Sequence, residues 1–304
     1  MSQVEVEIQG KRLKLSNLEK VLYPAAGFTK AQVIDYYTRI APVLLPHLKN
    51  RPLTLKRYPE GVENEFFYEK ECPPHRPPWV HTTPVWSEGN ARDTNYCLID
   101  DLPTLVWTAN LADIELHTSL SLITDINRPT ILAFDLDPGA PANILDCAQV
   151  AGWIHEALDE LKLKSFAKTS GSKGLQVYVP LNTPISYNET KPFAHGLAGL
   201  LEAAHPRYIV SNMRKNLRKG KIFIDWSQND AHKTTVCVYS LRARARPMVS
   251  TPVNWDEIET SWRKQEPLEF DYQQVLRRAE MFGDLFAPVL KIKQRLPELS
   301  KLKL

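Results

Sequence analysis

Apolar residues recur along this chain with two distinct periods. After Thr29, the positions Val33, Tyr37, Ile40 and Leu44 fall on one face of a helix. Thr29 with Gln32 three residues on forms a capping-box pattern, so the helix starts there. Pro42 and Pro46 are expected to kink or shorten its end. A second helix is predicted over roughly Ile144 to Leu163, with Cys147, Ala151, Ile154, Leu158 and Leu161 as its buried stripe. Strands are predicted at Ile131–Asp137, Leu175–Val179, Ile222–Trp226 and Thr235–Tyr239, all short and rich in β-branched or aromatic residues. The opening MSQVEVEIQGKRLKL alternates polar and apolar residues and reads as a strand rather than a targeting segment. One or two closing helices are expected from Trp255 to Phe286. The proline cluster from Cys72 to Pro78 must be loop.

Helices and strands mix without a regular βαβ rhythm, which predicts an α+β fold with a mostly antiparallel sheet. There is no internal repeat and no long Gly/Ser linker, so residues 1–304 are expected to form a single domain. Its last residues, about 285–304, are basic and expected to fray or to lead to something else.

Composition narrows the class. The 304 residues are 43% hydrophobic and 24% charged, which excludes a fibre, a disordered tail and a small disulfide scaffold. Net charge is only +3, so partners have to be sought in local charge. Cys72, Cys97, Cys147 and Cys237 form no CxxC pair and no zinc-finger spacing, and their scatter suggests a reducing cytosol. No uncharged apolar run approaches the ~18 residues of a membrane span.

The most informative stretch is Ile131-Leu-Ala-Phe-Asp-Leu-Asp-Pro-Gly139. Strand alternation points Asp135 and Asp137 the same way, at the end of an apolar strand. Two such carboxylates repel unless a cation lies between them, and hard ions such as Mg²⁺ suit oxygen ligands. Solvated acids before a turn would leave the same pattern. A second apolar strand delivers Asp225 near its end, and three carboxylates can build a two-metal phosphoryl-transfer site. Thr169-Ser-Gly-Ser-Lys-Gly174 reads either as a polar turn or as an anion cradle with Lys173 as point charge. It is expected to join a helix to a strand. From Ala203 to Ile224 there is no acid among Arg207, Arg214, Lys215, Arg218, Lys219 and Lys221. Arg242, Arg244 and Arg246 alternate, hence share a face if extended. Such basic runs suit a triphosphate or a nucleic-acid backbone, or blunt a solvated strand edge. The run Phe66-Phe67-Tyr68 before Glu69-Lys70 can stack on a base or belong to the core.

Five segments in order carry a more specific signal: Asn17-Leu-Glu-Lys-Val-Leu-Tyr-Pro24, Phe134-Asp-Leu-Asp-Pro-Gly139, Thr169-Ser-Gly-Ser-Lys-Gly-Leu175, Asp225-Trp-Ser-Gln-Asn229 and Tyr239-Ser-Leu-Arg242. Together they resemble the polymerase domain of bacterial ATP-dependent DNA ligase D, in the archaeo-eukaryotic primase superfamily. The likeness runs from about Leu15 to Met281. It implies a primase-like fold with an RRM-like antiparallel catalytic sheet packed with helices. It also implies a template-directed repair polymerase for non-homologous end joining, with two Mn²⁺ or Mg²⁺ ions and a ribonucleotide preference.

By motif match, Asp135, Asp137 and Asp225 are the expected metal ligands and catalytic acids. His117 and Ser170 are expected at the sugar, and Lys173, Gln228 and Arg242 at the triphosphate, with Lys56 and Arg218 close by. Phe67 and Tyr68 are expected to stack on the base, and Asn17, Lys20 and Lys30 to take the 5′-phosphate of a downstream strand. The implied partners are gapped or broken DNA, nucleoside triphosphates, Ku and an ATP-dependent DNA ligase, in the bacterial cytoplasm on nucleoid DNA, with no membrane. A primase starting chains without a primer, or a non-catalytic end-binding or synapsis module, is the alternative. Two positions depart from the family pattern. Gln176 stands where the family usually has His, and Tyr68 where it often has Phe.

Overall fold

Thr29 starts the first helix as its capping box predicts. Its backbone N–H donates to Gln32 Oε1 at 2.8 Å, and its hydroxyl accepts from the Gln32 N–H. The computed structural model describes residues 3–87 and 91–301. Its α-helices are α1 (Lys30–Leu48), α2 (Leu102–Asn110), α3 (Ile144–Glu160), α4 (Tyr187–Ala204), α5 (Trp255–Lys264) and α6 (Tyr272–Phe282). Prolines 42 and 46 do not shorten α1, which runs through both to Leu48. An interior proline costs about 3 kcal/mol. Full burial of one Leu or Ile contributes about 1.5–3 kcal/mol, and Ile40, Leu44 and Leu48 are all buried here.

The chain forms two units. The first combines residues 1–124, 234–250 and 270–284; the second combines 125–233, 251–269 and 285–304. In the first unit an antiparallel sheet runs in the order Thr235–Val236, Asp113–Thr118, Leu53–Arg57, Arg92–Cys97, Thr82–Ser87. The strand Phe67–Glu69 adds to Leu53–Arg57. Helix α1 is tied to this unit by buried tyrosines. Tyr37 donates to the Ile114 carbonyl at 2.6 Å and Tyr36 to that of Tyr239 at 2.7 Å. Each phenol thus gives its apolar body to the core without leaving a polar tip unpaired. The N-terminal residues form a hairpin, Gln3–Ile8 against Lys11–Ser16. It turns through Gln9 and Gly10, both at positive φ as the commonest two-residue loop requires.

In the second unit the sheet order is Ile209–Val210, Ile222–Asp225, Ile131–Pro138, Leu175–Pro180, Phe166–Thr169, Pro252–Val253. All pairs are antiparallel except the first. Helices α3 and α4 pack on its central strand, and α5 packs on α3.

Several expectations change. The segment from Thr169 to Gly174 joins strand to strand, because Phe166–Thr169 pairs with Leu175–Pro180 as a hairpin. The strand expected over 235–239 stops at Val236. Tyr239 takes φ 65, and its N–H turns to the Ser250 carbonyl. Arg242, Arg244 and Arg246 do not share a strand face: only Leu241–Ala243 is extended, and it folds back on Pro247–Val249. The basic end does not fray through Gln294. Its side chain bonds Lys164 and Pro180, and Asn182 donates to the Val289 and Ile292 carbonyls. Cys72 and Cys97 are joined by a disulfide, so cysteine scatter no longer argues for a reducing compartment. The two lie 25 residues apart, and the loop carrying Cys72 meets the strand of Cys97 through its N–H to the Asn95 carbonyl. No helix among the described residues is long and apolar enough to cross a membrane.

Candidate functional site

The second unit carries a row of polar side chains across its sheet. Register places Lys168 opposite Gln176, Gln176 opposite Asp135, and Asp135 opposite Asp225. Residues opposite one another share a sheet face, so the four stand side by side, and Asp137 follows on the same face. Burial and the neighbouring Asp137 push the Asp135 carboxyl up to about 7, with Asp225 adding to the rise. The Gln176 amide and the Lys168 charge oppose it. Gln176 is oriented in turn by the Tyr178 hydroxyl, which donates to its Oε1 at 3.3 Å. Lys168 is fully buried, its ammonium over the Tyr178 ring.

Asp225 is held by its own turn. Its Oδ1 accepts from the Ser227 N–H and hydroxyl, and its Oδ2 from the Gln228 amide at 2.9 Å. Asn229 then anchors the turn, exchanging two hydrogen bonds with Ala133 on the central strand. The all-oxygen, like-charged acids fit a hard divalent cation in chemistry. They are not a finished cage: among the described residues no group of three His, Cys, Asp or Glu side chains is arranged to hold a metal ion.

Two glycines let backbone approach this strand. A Cβ on Gly174 would lie 2.0 Å from the Leu136 carbonyl oxygen, and one on Gly139 would lie 1.9 Å from that of Arg218. Ser170 closes the hairpin, its Oγ accepting from the N–H groups of Ser172 and Gly174. Lys173 stands exposed at the tip. Arg218 lies over the Phe223 ring at 3.6 Å and donates to the Met213 carbonyl.

In the first unit one carboxylate gathers three of the predicted nucleotide-binding residues. Glu115 Oε2 meets Lys56 Nζ at 3.4 Å and His117 Nε2 at 3.0 Å. Its Oε1 meets Arg242 Nε at 3.3 Å and accepts from the Ala243 N–H at 3.0 Å. Burial alone would raise the Glu115 carboxyl, but the His117 bond and the Arg242, His117 and Lys56 charges hold it far below the carboxylate range. His117 is lowered by burial against the pull of Glu115. Lys56 sits among the rings of Phe66, Tyr58 and Tyr68, at 4.4, 5.3 and 5.3 Å.

Of the expected stacking pair, only Tyr68 shares this face. It lies opposite Lys56 and 6.2 Å from the His117 ring. Phe67, opposite Arg57, alternates to the other side. Phe66 takes its place, 5.4 Å from Tyr68. Tyr68 is 60% exposed and Phe66 46%, so both offer ring surface to a ligand.

Asn17, Lys20 and Lys30 do come together. Asn17 takes φ 53 in a turn closed by the Lys20 N–H on its carbonyl, and the Lys30 N–H donates to the Lys20 carbonyl at 2.8 Å. Lys30 is brought down to about 8 by burial and by the charges of Lys20 and Arg57. Lys20 itself meets Glu60 at 2.7 Å. Glu115, Lys168 and Glu60 are not among the expected site residues, and Phe66 is read within the aromatic run but outside the stacking pair. Glu115 had a signal: on a strand it is two residues from His117 and so shares its face.

The LigD primase-polymerase domain model matches residues 29–286. The chain is 41% identical over 281 residues to the "Multifunctional non-homologous end joining protein LigD" of Mycolicibacterium smegmatis, covering 92% of this chain and 36% of that protein. It is 31% identical over 251 residues to the "Bifunctional non-homologous end joining protein LigD" of Bacillus subtilis, covering 82% and 40%. The chain thus spans well under half the length of these relatives. Among solved structures it is similar to the "Polymerase Domain from Mycobacterium tuberculosis Ligase D in complex with DNA", at TM-score 0.86 and 37% identity, over 93% of this chain and 99% of that one.

Proposed function

Because the chain belongs to the LigD primase-polymerase family, we propose that it is a template-directed nucleotidyltransferase that fills gaps and extends broken DNA ends in non-homologous end joining. The observation that carries this reading is the pairing of Asp135 with Asp225 on one sheet face, with Asp137 two residues beyond. Asp135, Asp137 and Asp225 would hold two Mn²⁺ or Mg²⁺ ions. When bound, such ions supply charge stabilisation to the attacking and leaving oxygens of phosphoryl transfer.

The reading gives each unit its tasks. In the second, Lys173, Arg218 and Gln228 carry the triphosphate and Ser170 the sugar. Gln228 would exchange its bond to Asp225 for one to phosphate. In the first, Glu115 holds Arg242 and Lys56 ready for phosphate and keeps His117 oriented toward the sugar. A neutral His117 suits that role, since it donates one hydrogen bond and accepts another. Tyr68 stacks on the base with Phe66, and Phe67 is left to another contact. Lys20, Lys30 and Asn17 take a 5′-phosphate, the phosphate displacing Glu60 from Lys20. The partners of this reading are nucleoside triphosphates, broken DNA, Ku and an ATP-dependent ligase. Work on chromosomal DNA puts the protein in the bacterial cytoplasm.

The test is incubation with Mn²⁺, one ribonucleotide and a gapped duplex bearing a downstream 5′-phosphate. Templated addition of that nucleotide is expected. No addition with any templated nucleotide would overturn the polymerase reading. Synthesis on a single-stranded template without a primer would turn it toward a primase.

A further inference from the structure

A cavity of about 540 Å³ opens between α3 and α5, and its lining includes none of the residues discussed above. Three tryptophans wall it: Trp153 from α3, and Trp255 and Trp262 from α5. Two are stacked on histidines, Trp153 on His205 at 3.7 Å and Trp255 on His155, which also lines the cavity, at 3.9 Å. All three stay only partly covered by their own chain.

Charge at this cavity is one-sided. Glu156, Asp256 and Glu259 border it, against Arg263, whose guanidinium is already paired with Glu259 one helical turn away. Burial lowers His155, with Asp159 and Glu156 opposing, so it stays neutral at neutral pH.

Aromatic faces attract an organic cation. Surplus carboxylates attract a positive charge. An apolar guest would answer only the first of these and an anion neither. A guanidinium or ammonium group answers both. The volume is that of a pocket for a drug-sized ligand, larger than a lone ion needs. The basic C-terminal segment of this chain is engaged elsewhere, Gln294 on Lys164 and Pro180, and Leu299 over Gly196.

We propose that the α3–α5 cavity docks a basic polypeptide segment of a partner protein, an arginine or lysine side chain entering among Trp153, Trp255 and Trp262 against Glu156 and Asp256. This stands apart from the polymerase reading, and each can fail without the other.

The test uses the whole chain labelled with 5-fluorotryptophan. It is titrated with a short Gly/Ser peptide carrying two arginines and with the same peptide carrying citrulline, which keeps the shape and removes the charge. The arginine peptide should move the fluorine signals of Trp153, Trp255 and Trp262, and the citrulline peptide should bind at least about tenfold more weakly. Glu156→Gln with Asp256→Asn changes two exposed side chains and should weaken the arginine peptide about fivefold or more, with nucleotide addition unchanged. Trp262→Leu should weaken it further. Equal binding of the two peptides, unmoved signals at these three tryptophans, or no effect of the double amide variant would each overturn the proposal. Spermidine moving the same signals with equal affinity would also overturn it, in favour of a free polyamine. A DNA duplex doing so in place of the peptide would overturn it in favour of nucleic acid.

Discussion

The two units solve opposite electrostatic problems. In one, Asp135, Asp137 and Asp225 crowd together, and Asp135 is pushed up to about 7 by burial and by its own kind. In the other, a single Glu115 is shared by Lys56, His117 and Arg242, and its carboxyl is pulled far down. In the acid row the carboxylates raise one another, with the Gln176 amide and the Lys168 charge in opposition at Asp135. The Glu115 cluster is answered from within, so its basic groups are positioned before any ligand arrives. Preorganised donors of this kind need no rearrangement when charge develops.

The sharpest way to break the contrast is on the acid side. Asp137→Ala should lower nucleotide addition by at least about a thousandfold, the scale at which a transition-state charge contact is lost. DNA affinity should stay within about twofold at fixed salt. A variant that still extends primers at near the parent rate would dissolve the assignment of the acid row.

Next in size is the other side. Glu115→Gln leaves three cationic or donor groups around a neutral amide and should destabilise the fold by about 3 kcal/mol, the cost of breaking a buried charge network. Urea denaturation measures it. The pH dependence has a definite sign. The folded Glu115 is lowered, so its contribution is complete above the unfolded value near 4.3 and is lost as pH falls below it. His117 is also lowered, so its contribution starts to fade below about 6.5. Stability of the parent protein should therefore drop on acidification, and Glu115→Gln should flatten the limb below pH ~4.3.

A smaller effect concerns the sugar. With His117 and Ser170 at the ribose, ribonucleotides should be used about tenfold to a hundredfold more efficiently than deoxyribonucleotides. His117→Ala should shrink that ratio; kcat/KM for the matched pair of nucleotides decides it. The smallest concerns the DNA end. A 5′-phosphate should tighten gapped-DNA binding several-fold, and Lys20→Ala with Lys30→Ala should erase the difference. Because Lys30 is lowered to about 8, the preference should weaken as pH rises above that value. A preference unchanged from pH 7 to about 9.5 would remove Lys30 from the pocket.

What was legible in the sequence was local. Thr29 and Gln32 announce a capping box within four residues, and Asp135 and Asp137 announce a shared face through strand alternation. Both sets stand where those rules put them. The Glu115 cluster was not legible as a whole, because Lys56, Glu115 and Arg242 come from three strands far apart in the chain. An aromatic run of three does not reveal its own phase, and only pairing with Leu53–Arg57 shows that Phe66 and Tyr68 rather than Phe67 lie by Lys56. The strand Phe166–Thr169 was too short to announce itself, and so a hairpin was read as a helix-to-strand join. The Cys72–Cys97 bond depends on a loop crossing a strand, which no spacing rule anticipates.

Each unit is stitched from three separate stretches, and the first still lacks α6 until residues 270–284 exist. During synthesis, the first unit cannot close before residues 270–284 have been made, and the second not before the segment of Gln294. Until then a nascent chain carries Val33, Tyr36, Ile40 and Leu44 without their full cover, the condition under which chains recruit chaperones or aggregate. The same stitching makes cutting costly. A chain ending at residue 269 lacks the α6 that packs on α1 and also the Gln294 anchor on Pro180, so it should be digested by protease in both units at once rather than leave one intact half.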